Sequence, residues 1–250
     1  VGVTWLVFDR DVIATGVGFE HAGVQGVQGD RQRVPMAIFD LDRTVLRGSS
    51  LPTVAKALVR AGLLQRRVLA DALVRNAVFR HRGCRDEAVT DLVAEVLGLV
   101  AGMEASRVRA ALESVQFELL AGTRPELRQL IAKHRAAGDV CVVLTASPME
   151  IAELVASGLR AHRGLGTTSE VVDGRYTGRL VGPVCYGWAK VASLEAARVR
   201  PCWASSTAYS DAASDLPLLH AVGRAVVVSP DRQLRREANL NGWQILAVRR

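Results

Sequence analysis

The chain has 250 residues, 49% hydrophobic and 23% charged, with a formal net charge of +7. That length can bury a sizeable core as one domain with an insertion or as two small domains, and no apolar run approaches the roughly 18 residues that a membrane span requires, which excludes a bilayer-crossing helix. The positive balance favours an anionic partner without choosing among nucleic acid, a membrane surface and a phosphorylated metabolite.

Residues 1–33 begin with a strand-like VTWLVFDRDVIATG and continue into a Gly-rich stretch without helix or strand periodicity, so they read as a poorly structured N-terminal extension. Neither an apolar h-region nor a small-residue cleavage site of a secretory signal is present in it. Asp9 and Asp11 follow Phe8 here, but the next hydroxyl, Thr15, comes too late to match the spacing of Asp40, Asp42 and Thr44. From Met36 a short apolar run suited to a buried parallel strand ends at Asp40, with Asp42 and Thr44 just beyond it. In open α/β sheets, residues past the carboxyl end of a strand line the ligand crevice, so this pair of carboxylates belongs at a mouth. Two such neighbours stay ionised together only if a cation joins them or one takes up a proton. A divalent metal meets that need, and an all-oxygen environment suits magnesium, which keeps several waters and recruits substrate phosphate.

Between Leu46 and Leu120 the pattern is helical. Ser50 and Pro52 open a first helix whose apolar face is Val54, Ala57, Leu58 and Ala61, with Gly62 placed to end it. Three more faces follow: Ala70, Leu73, Val74 and Ala77; Val89, Leu92, Val93 and Val96; and Val108, Ala111, Leu112 and Val115. Arg60, Arg66, Arg67, Arg75, Arg80, Arg82 and Arg85 stand against Asp71 alone in the first half of this region. They read as a solvated face, or as a surface for an anionic substrate or membrane.

Alternation of helix and strand then resumes. A helix from Pro125 to Ala137 carries Leu127, Leu130, Ile131 and His134 on one face, the histidine reading as a boundary residue, and Gly138 closes it before a strand over Val140 to Leu144. Thr145, Ala146 and Ser147 follow that strand, with Pro148 opening the next helix, where a hydroxyl and free backbone N–H groups suit phosphate oxygens. Ser169 to Val172, the turn Asp173-Gly174 and Tyr176 to Leu180 spell a hairpin. Lys190 sits early in a helix bounded by Gly187 and running toward Ala197. Trp203 to Tyr209 is read as a strand that delivers Ser210 and Asp211 to the same mouth as Asp40, with Asp215 four residues later. Ala225 to Val228, a helix over Arg232 to Asn239 and a last strand over Gln244 to Val248 complete a Rossmann-like, mostly parallel sheet. The cysteines Cys84, Cys141, Cys185 and Cys202 are widely separated, without C-x-x-C or metal spacing, and read as reduced thiols of a cytoplasmic protein.

The D-x-D-x-T run at Asp40, the VVLTAS stretch reaching Thr145, Lys190 in CYGWAKV, and Asp211 with Asp215 in AYSDAASDLPLL resemble, in order, the motifs of the haloacid dehalogenase superfamily. The tail VVVSPDRQLRREANLNGWQIL resembles the branch containing phosphoserine phosphatase. The resemblance implies an α/β core over 34–46 and 121–250, with a small helical cap, 47–120, over the site. It also implies a magnesium-dependent phosphatase in which Asp40 is the nucleophile and Asp42 the general acid and base. Thr145, Ala146 and Lys190 would hold phosphate. The metal would be bound by Asp40, the Asp42 carbonyl and Asp211, with Thr44 and Asp215 in support.

Phosphoserine phosphatases carry a Glu after the first motif to receive the substrate ammonium; nine residues beyond Asp40 this chain has Ser49, which disfavours phosphoserine. Arg43 replaces the Gly or Ser common among relatives, and Trp188 the more polar residue before the lysine. Three functions are consistent with these residues. The first is a phosphatase of a small phosphorylated metabolite. The second acts on phospholipid head groups at an anionic membrane, and the third is a silent phosphate-binding regulatory module. No nucleic-acid partner is expected, peripheral membrane contact is compatible with the arginines, and oligomeric state is not encoded in any motif.

Overall fold

A computed structural model of the chain describes residues 33–65, 93, 97–197 and 200–248. The N-terminal extension with Asp9, Asp11 and Thr15 lies outside them, apart from Arg33. So do Cys84, the second predicted helical face, all of the third but Val93, and Arg66, Arg67, Arg75, Arg80, Arg82 and Arg85.

The strands in chain order are β1 (Arg33–Val34), β2 (Met36–Asp40), β3 (Val140–Pro148), β4 (Arg163–Thr167), β5 (Ser169–Val172), β6 (Arg175–Leu180), β7 (Arg200–Pro201), β8 (Thr207–Ser210), β9 (Arg224–Val228) and β10 (Gln244–Leu246). Six of them form a sheet in the order β10-β9-β8-β2-β3-β4, every neighbouring pair parallel. The described α-helices are α1 (Leu51–Arg60), α2 (Ala105–Glu113), α3 (Gln116–Ala121), α4 (Pro125–Ala136), α5 (Met149–Gly158), α6 (Trp188–Ala196), α7 (Leu216–Ala221) and α8 (Arg232–Asn241). This is the α/β class, with a parallel sheet, that the alternation predicts. Among the described residues no helix is long and apolar enough to cross a membrane.

The run MAIFD is central because it is apolar on both faces. Successive strand side chains point to opposite sides. Ala37 and Phe39 pack with Cys141, Val143 and Tyr209 against Leu127 and Ile131 of α4 and Ile151 and Val155 of α5. Met36 and Ile38 pack with Val142, Leu144 and Ala208 against Leu194 of α6, Leu218 and Leu219 of α7 and Leu234 of α8. On the first side, Phe39 stacks on Tyr209 with ring centroids 4.5 Å apart. His134 lies at the edge of this pair, bonded to the Tyr209 hydroxyl at 2.8 Å and to Asp139 at 2.6 Å, as a boundary histidine should be. The fourth predicted helical face is buried as expected, Val108, Ala111, Leu112 and Val115 all facing the same cluster as Ala57 and Leu58.

Several local expectations change. β3 continues to Pro148, so Thr145, Ala146 and Ser147 belong to the strand itself, and α5 opens at Met149 with Pro148 as its N-cap. Ala61 ends α1 exposed instead of joining its buried face. Trp203–Ser205 is a 3-10 turn, its indole donating to Glu195 Oε1 at 2.6 Å, and the strand starts only at Thr207. β4 carries no apolar alternation, so periodicity does not predict it. A Cβ on Gly164 would lie 2.2 Å from the Ala152 backbone carbon, so this strand exists because glycine lets the α5 backbone lie directly on it.

From β2 the chain builds β3 and β4 on one side, then crosses to build β8, β9 and β10 on the other. The switch therefore lies between β2 and β8, and the crevice outside their carboxyl ends is where such sheets bind ligands.

Candidate active site

Asp40 is the last residue of β2 and Asp211 follows the last residue of β8, which places both carboxylates at the switch. Each is 7% exposed. After Asp40 the chain enters an irregular turn, Leu41–Val45, in which Asp42 is extended and Arg43 is left-handed at φ 66°. The turn is tied by Leu46 N–H donating to the Leu41 carbonyl at 2.9 Å and Arg43 N–H to the Gly48 carbonyl at 3.0 Å. Its buried Thr44 hydroxyl donates to Asp211 Oδ1 at 3.2 Å, joining the first and last motifs.

Lys190 comes from the first turn of α6 and is 3% exposed. Its Nζ donates to Asp40 at 2.7 Å and to Asp215 at 2.8 Å. Asp215, 1% exposed, also accepts from the Ser210 hydroxyl at 2.7 Å, which fixes the carboxylate that in turn fixes the lysine. Burial alone would lower the Lys190 pKa, but the carboxylates of Asp215 and Asp40 more than reverse it, and the ammonium form is strongly favoured. Asp40 shifts upward because burial outweighs Lys190, with Asp215 and Asp211 adding to the rise. Asp211 is pushed up to about 6 by burial, against the pull of Arg43 and Thr44. The mouth thus holds more buried carboxylate than its cations balance.

Asp42 points elsewhere. Its carboxylate accepts from the Ser50 N–H at the start of α1 and from the Ser147 hydroxyl at 2.8 Å, and the Ser50 and Ser147 hydroxyls are themselves 3.2 Å apart. The sequence presents Ser50 as a helix cap; its side chain makes no cap bond and turns to Ser147 instead. Neither serine stands out in the sequence as a site residue, nor does Ser210 as a partner of Asp215. The available signal is a hydroxyl beside each motif, which is too common to select one. Thr145 is buried, its Oγ1 accepting from Ser147 N–H at 3.1 Å, and the Ala146 carbonyl accepts from Thr167 at 2.7 Å. Ser49 is exposed, its hydroxyl accepting from Leu51 N–H at 3.3 Å.

Arg43, half exposed, places its Nε 3.1 Å from Asp211 Oδ2. A guanidinium therefore lies against one of the two carboxylates at the switch. Among the described residues there is no group of three or more His, Cys, Asp or Glu side chains placed to cage an ion. The donors that could hold one are the Asp40 and Asp211 carboxylates and the Asp42 carbonyl. That all-oxygen set is of the kind magnesium takes, and the surplus of buried carboxylate fits a divalent charge.

Residues 37–220 match the model of one family, the haloacid dehalogenase-like hydrolases. Over 221 residues the chain is 34% identical to a probable phosphatase of Mycobacterium tuberculosis, covering 86% of this chain and 75% of that one. It is also 34% identical over 219 residues to the phosphoserine phosphatase SerB1 of the same organism, covering 84% of this chain and 69% of that one. Among solved structures, a Bordetella pertussis protein of unknown function superposes with a TM-score of 0.72 at 28% identity, over 86% of this chain and 99% of that chain.

Proposed function

The chain belongs to the haloacid dehalogenase-like hydrolase family, and on that footing we propose that it is a magnesium-dependent phosphomonoester hydrolase acting through an aspartyl-phosphate on a small phosphorylated metabolite. The observation that carries this reading is the Lys190 ammonium bonded to both Asp40 and Asp215. A carboxylate approaching a phosphate dianion is repelled, and a buried cation already bonded to it offsets that repulsion.

An Asp40 oxygen attacks phosphorus in line; the aspartyl O–P bond forms as the ester P–O bond breaks. Asp42 gives its proton to the departing alkoxide. Water then attacks the aspartyl-phosphate, Asp42 takes its proton, and cleavage of the O–P bond releases phosphate and restores Asp40. The Ser147 hydroxyl suits this cycle, since a hydroxyl can switch from donor to acceptor as Asp42 gains its proton, without moving a heavy atom. Thr145, the Ala146 backbone and Lys190 grip the phosphate oxygens. Thr44 positions Asp211, and Asp215 positions Lys190. Magnesium held by Asp40, the Asp42 carbonyl and Asp211 would supply charge to the phosphate. The cap reading over 47–120 is supported by Ser50, at the start of α1, reaching Asp42. A reduced, cytoplasmic setting is supported by the buried free thiols of Cys141 and Cys185.

The test is phosphate release from a panel of phosphomonoesters, with magnesium and with chelator, by wild type and Asp40→Asn. Release that needs both metal and Asp40 is expected. Its absence from every soluble or micellar ester would replace the proposal with a silent phosphate-binding module, and release from mixed micelles alone would favour the lipid head-group reading.

A further inference from the structure

Where α1 and α2 meet the start of α5, a partly open cavity of about 100 Å³ adjoins the groups that hold Asp42. Two of the residues around it, Ser50 and Ser147, are the Asp42 hydrogen-bond donors. The rest of its surface is almost wholly apolar, supplied by residues such as Leu51, Val54, Leu58, Val100 and Leu112. Among the described lining residues Glu150 is the one carboxylate, and it accepts a 2.6 Å hydrogen bond from Tyr176. Among the described residues no Lys, Arg or His lines the cavity.

Resting on the phosphomonoesterase reading, we infer that this cavity takes the alcohol side of the ester, and that the substrate is the monophosphate of an apolar alcohol. The leaving oxygen must lie within hydrogen-bond reach of Asp42 to receive its proton. The carbon attached to that oxygen then starts beside Ser50 and Ser147, and the space beyond them is the apolar one. A cavity of roughly 150 Å³ lined by such side chains holds benzene, so 100 Å³ holds an alkyl group of about four carbons. An amino-acid or sugar alcohol would instead bring an ammonium, a carboxylate or several hydroxyls against aliphatic walls, where each loses its water without a partner. The absence of a carboxylate at Ser49 agrees with this. So does Glu150, whose carboxylate is engaged by a tyrosine.

The experiment compares kcat/KM for methyl, ethyl, propyl and butyl phosphate with that for phosphoserine and glycerol phosphate, on the full chain with magnesium. Burial of each methylene should raise kcat/KM roughly fourfold up to butyl, with phosphoserine well below butyl phosphate. In Val54→Phe, which narrows the cavity, the ratio of butyl to ethyl turnover should fall at least tenfold. Should that variant not fold, Val100→Phe, on another segment of the wall, reads the same ratio. A flat alkyl series, an unmoved ratio, or phosphoserine above butyl phosphate would overturn the inference while leaving the phosphatase reading intact. Turnover of no ester at all would overturn both.

Discussion

Replacing Lys190 with methionine keeps the volume of the stem and removes the charge. Wild type makes two charge-assisted hydrogen bonds there, at 2.7 and 2.8 Å, to carboxylates 7% and 1% exposed. Such bonds contribute about 1.5–3 kcal/mol each, and breaking a buried ion pair from one side costs about 3–5 kcal/mol because the other charge is left uncompensated. Lys190→Met should therefore lose about 3–5 kcal/mol of unfolding free energy, on the order of 6–20 °C in Tm for a chain of this size. The cost arises from stranded anions, so removing one of them should recover part of it. Asp215→Asn in the Lys190→Met background should be more stable than Lys190→Met alone by at least about 1 kcal/mol, since the amide can still accept from Ser210. Urea unfolding of the three proteins at pH 7.5 with chelator present measures both quantities. A single variant within about 1 kcal/mol of wild type, or a double variant no more stable than the single, would show that Lys190 is not what holds these carboxylates in the fold.

Asp42→Asn should slow turnover of alkyl phosphates by roughly 10²–10⁴-fold, the usual contribution of a general acid. With p-nitrophenyl phosphate it should give a burst of one nitrophenolate per chain followed by a stall, and a stopped-flow trace without a burst would count against the assigned role. Arg43→Gly removes a guanidinium from Asp211 and relieves a left-handed φ of 66°. Calorimetric titration should show magnesium binding several-fold tighter than in wild type, unchanged or weaker binding being the contrary result. Gly164→Ala forces a methyl into the α5 backbone and should cost at least about 1–3 kcal/mol in a thermal melt; an unshifted Tm would mean that β4 and α5 are not in such contact. Burial lifts the Cys141 thiol from 9.0 to about 11 and the Tyr209 phenol from 10.0 to about 12. Folded pKa values above the unfolded ones mean that the unfolded chain loses these protons first. Stability is thus intact below about pH 9 and erodes as pH climbs through the folded values. Tm measured from pH 7.5 to 11 should fall over that window, and Tyr209 phenolate absorbance appearing near pH 10 with the fold intact would contradict it.

The core strand, the two flanking classes of helix and the four motif segments are all legible in the sequence, because each depends on residues within one turn or one strand of one another. MAIFD announces a strand buried on both faces by its composition, and Asp40 follows from where that run stops. β4 is not legible: its glycines signal a break locally, and only the backbone of α5 lying against Gly164 makes them a requirement. The turn at Trp203 likewise reads as strand, since its aromatic ring satisfies the same local preference whether it packs on a sheet or donates to Glu195.

The order of the acids, the lysine and the hydroxyls along the chain was set by sequence alone, and with it the kind of chemistry. Which group faces which was decided by tertiary structure. Lys190 meets Asp40 across 150 positions and Ser147 meets Asp42 across 105. Those encounters exist because β2 and β3 are neighbouring parallel strands that end at the same edge of the sheet, and because Leu194 packs α6 against β2. The apolar cavity beside Asp42 is assembled from side chains of several separate segments. Hydrophobic periodicity reports only that such side chains turn away from water; whether they meet closely or leave a space between them depends on how the segments pack.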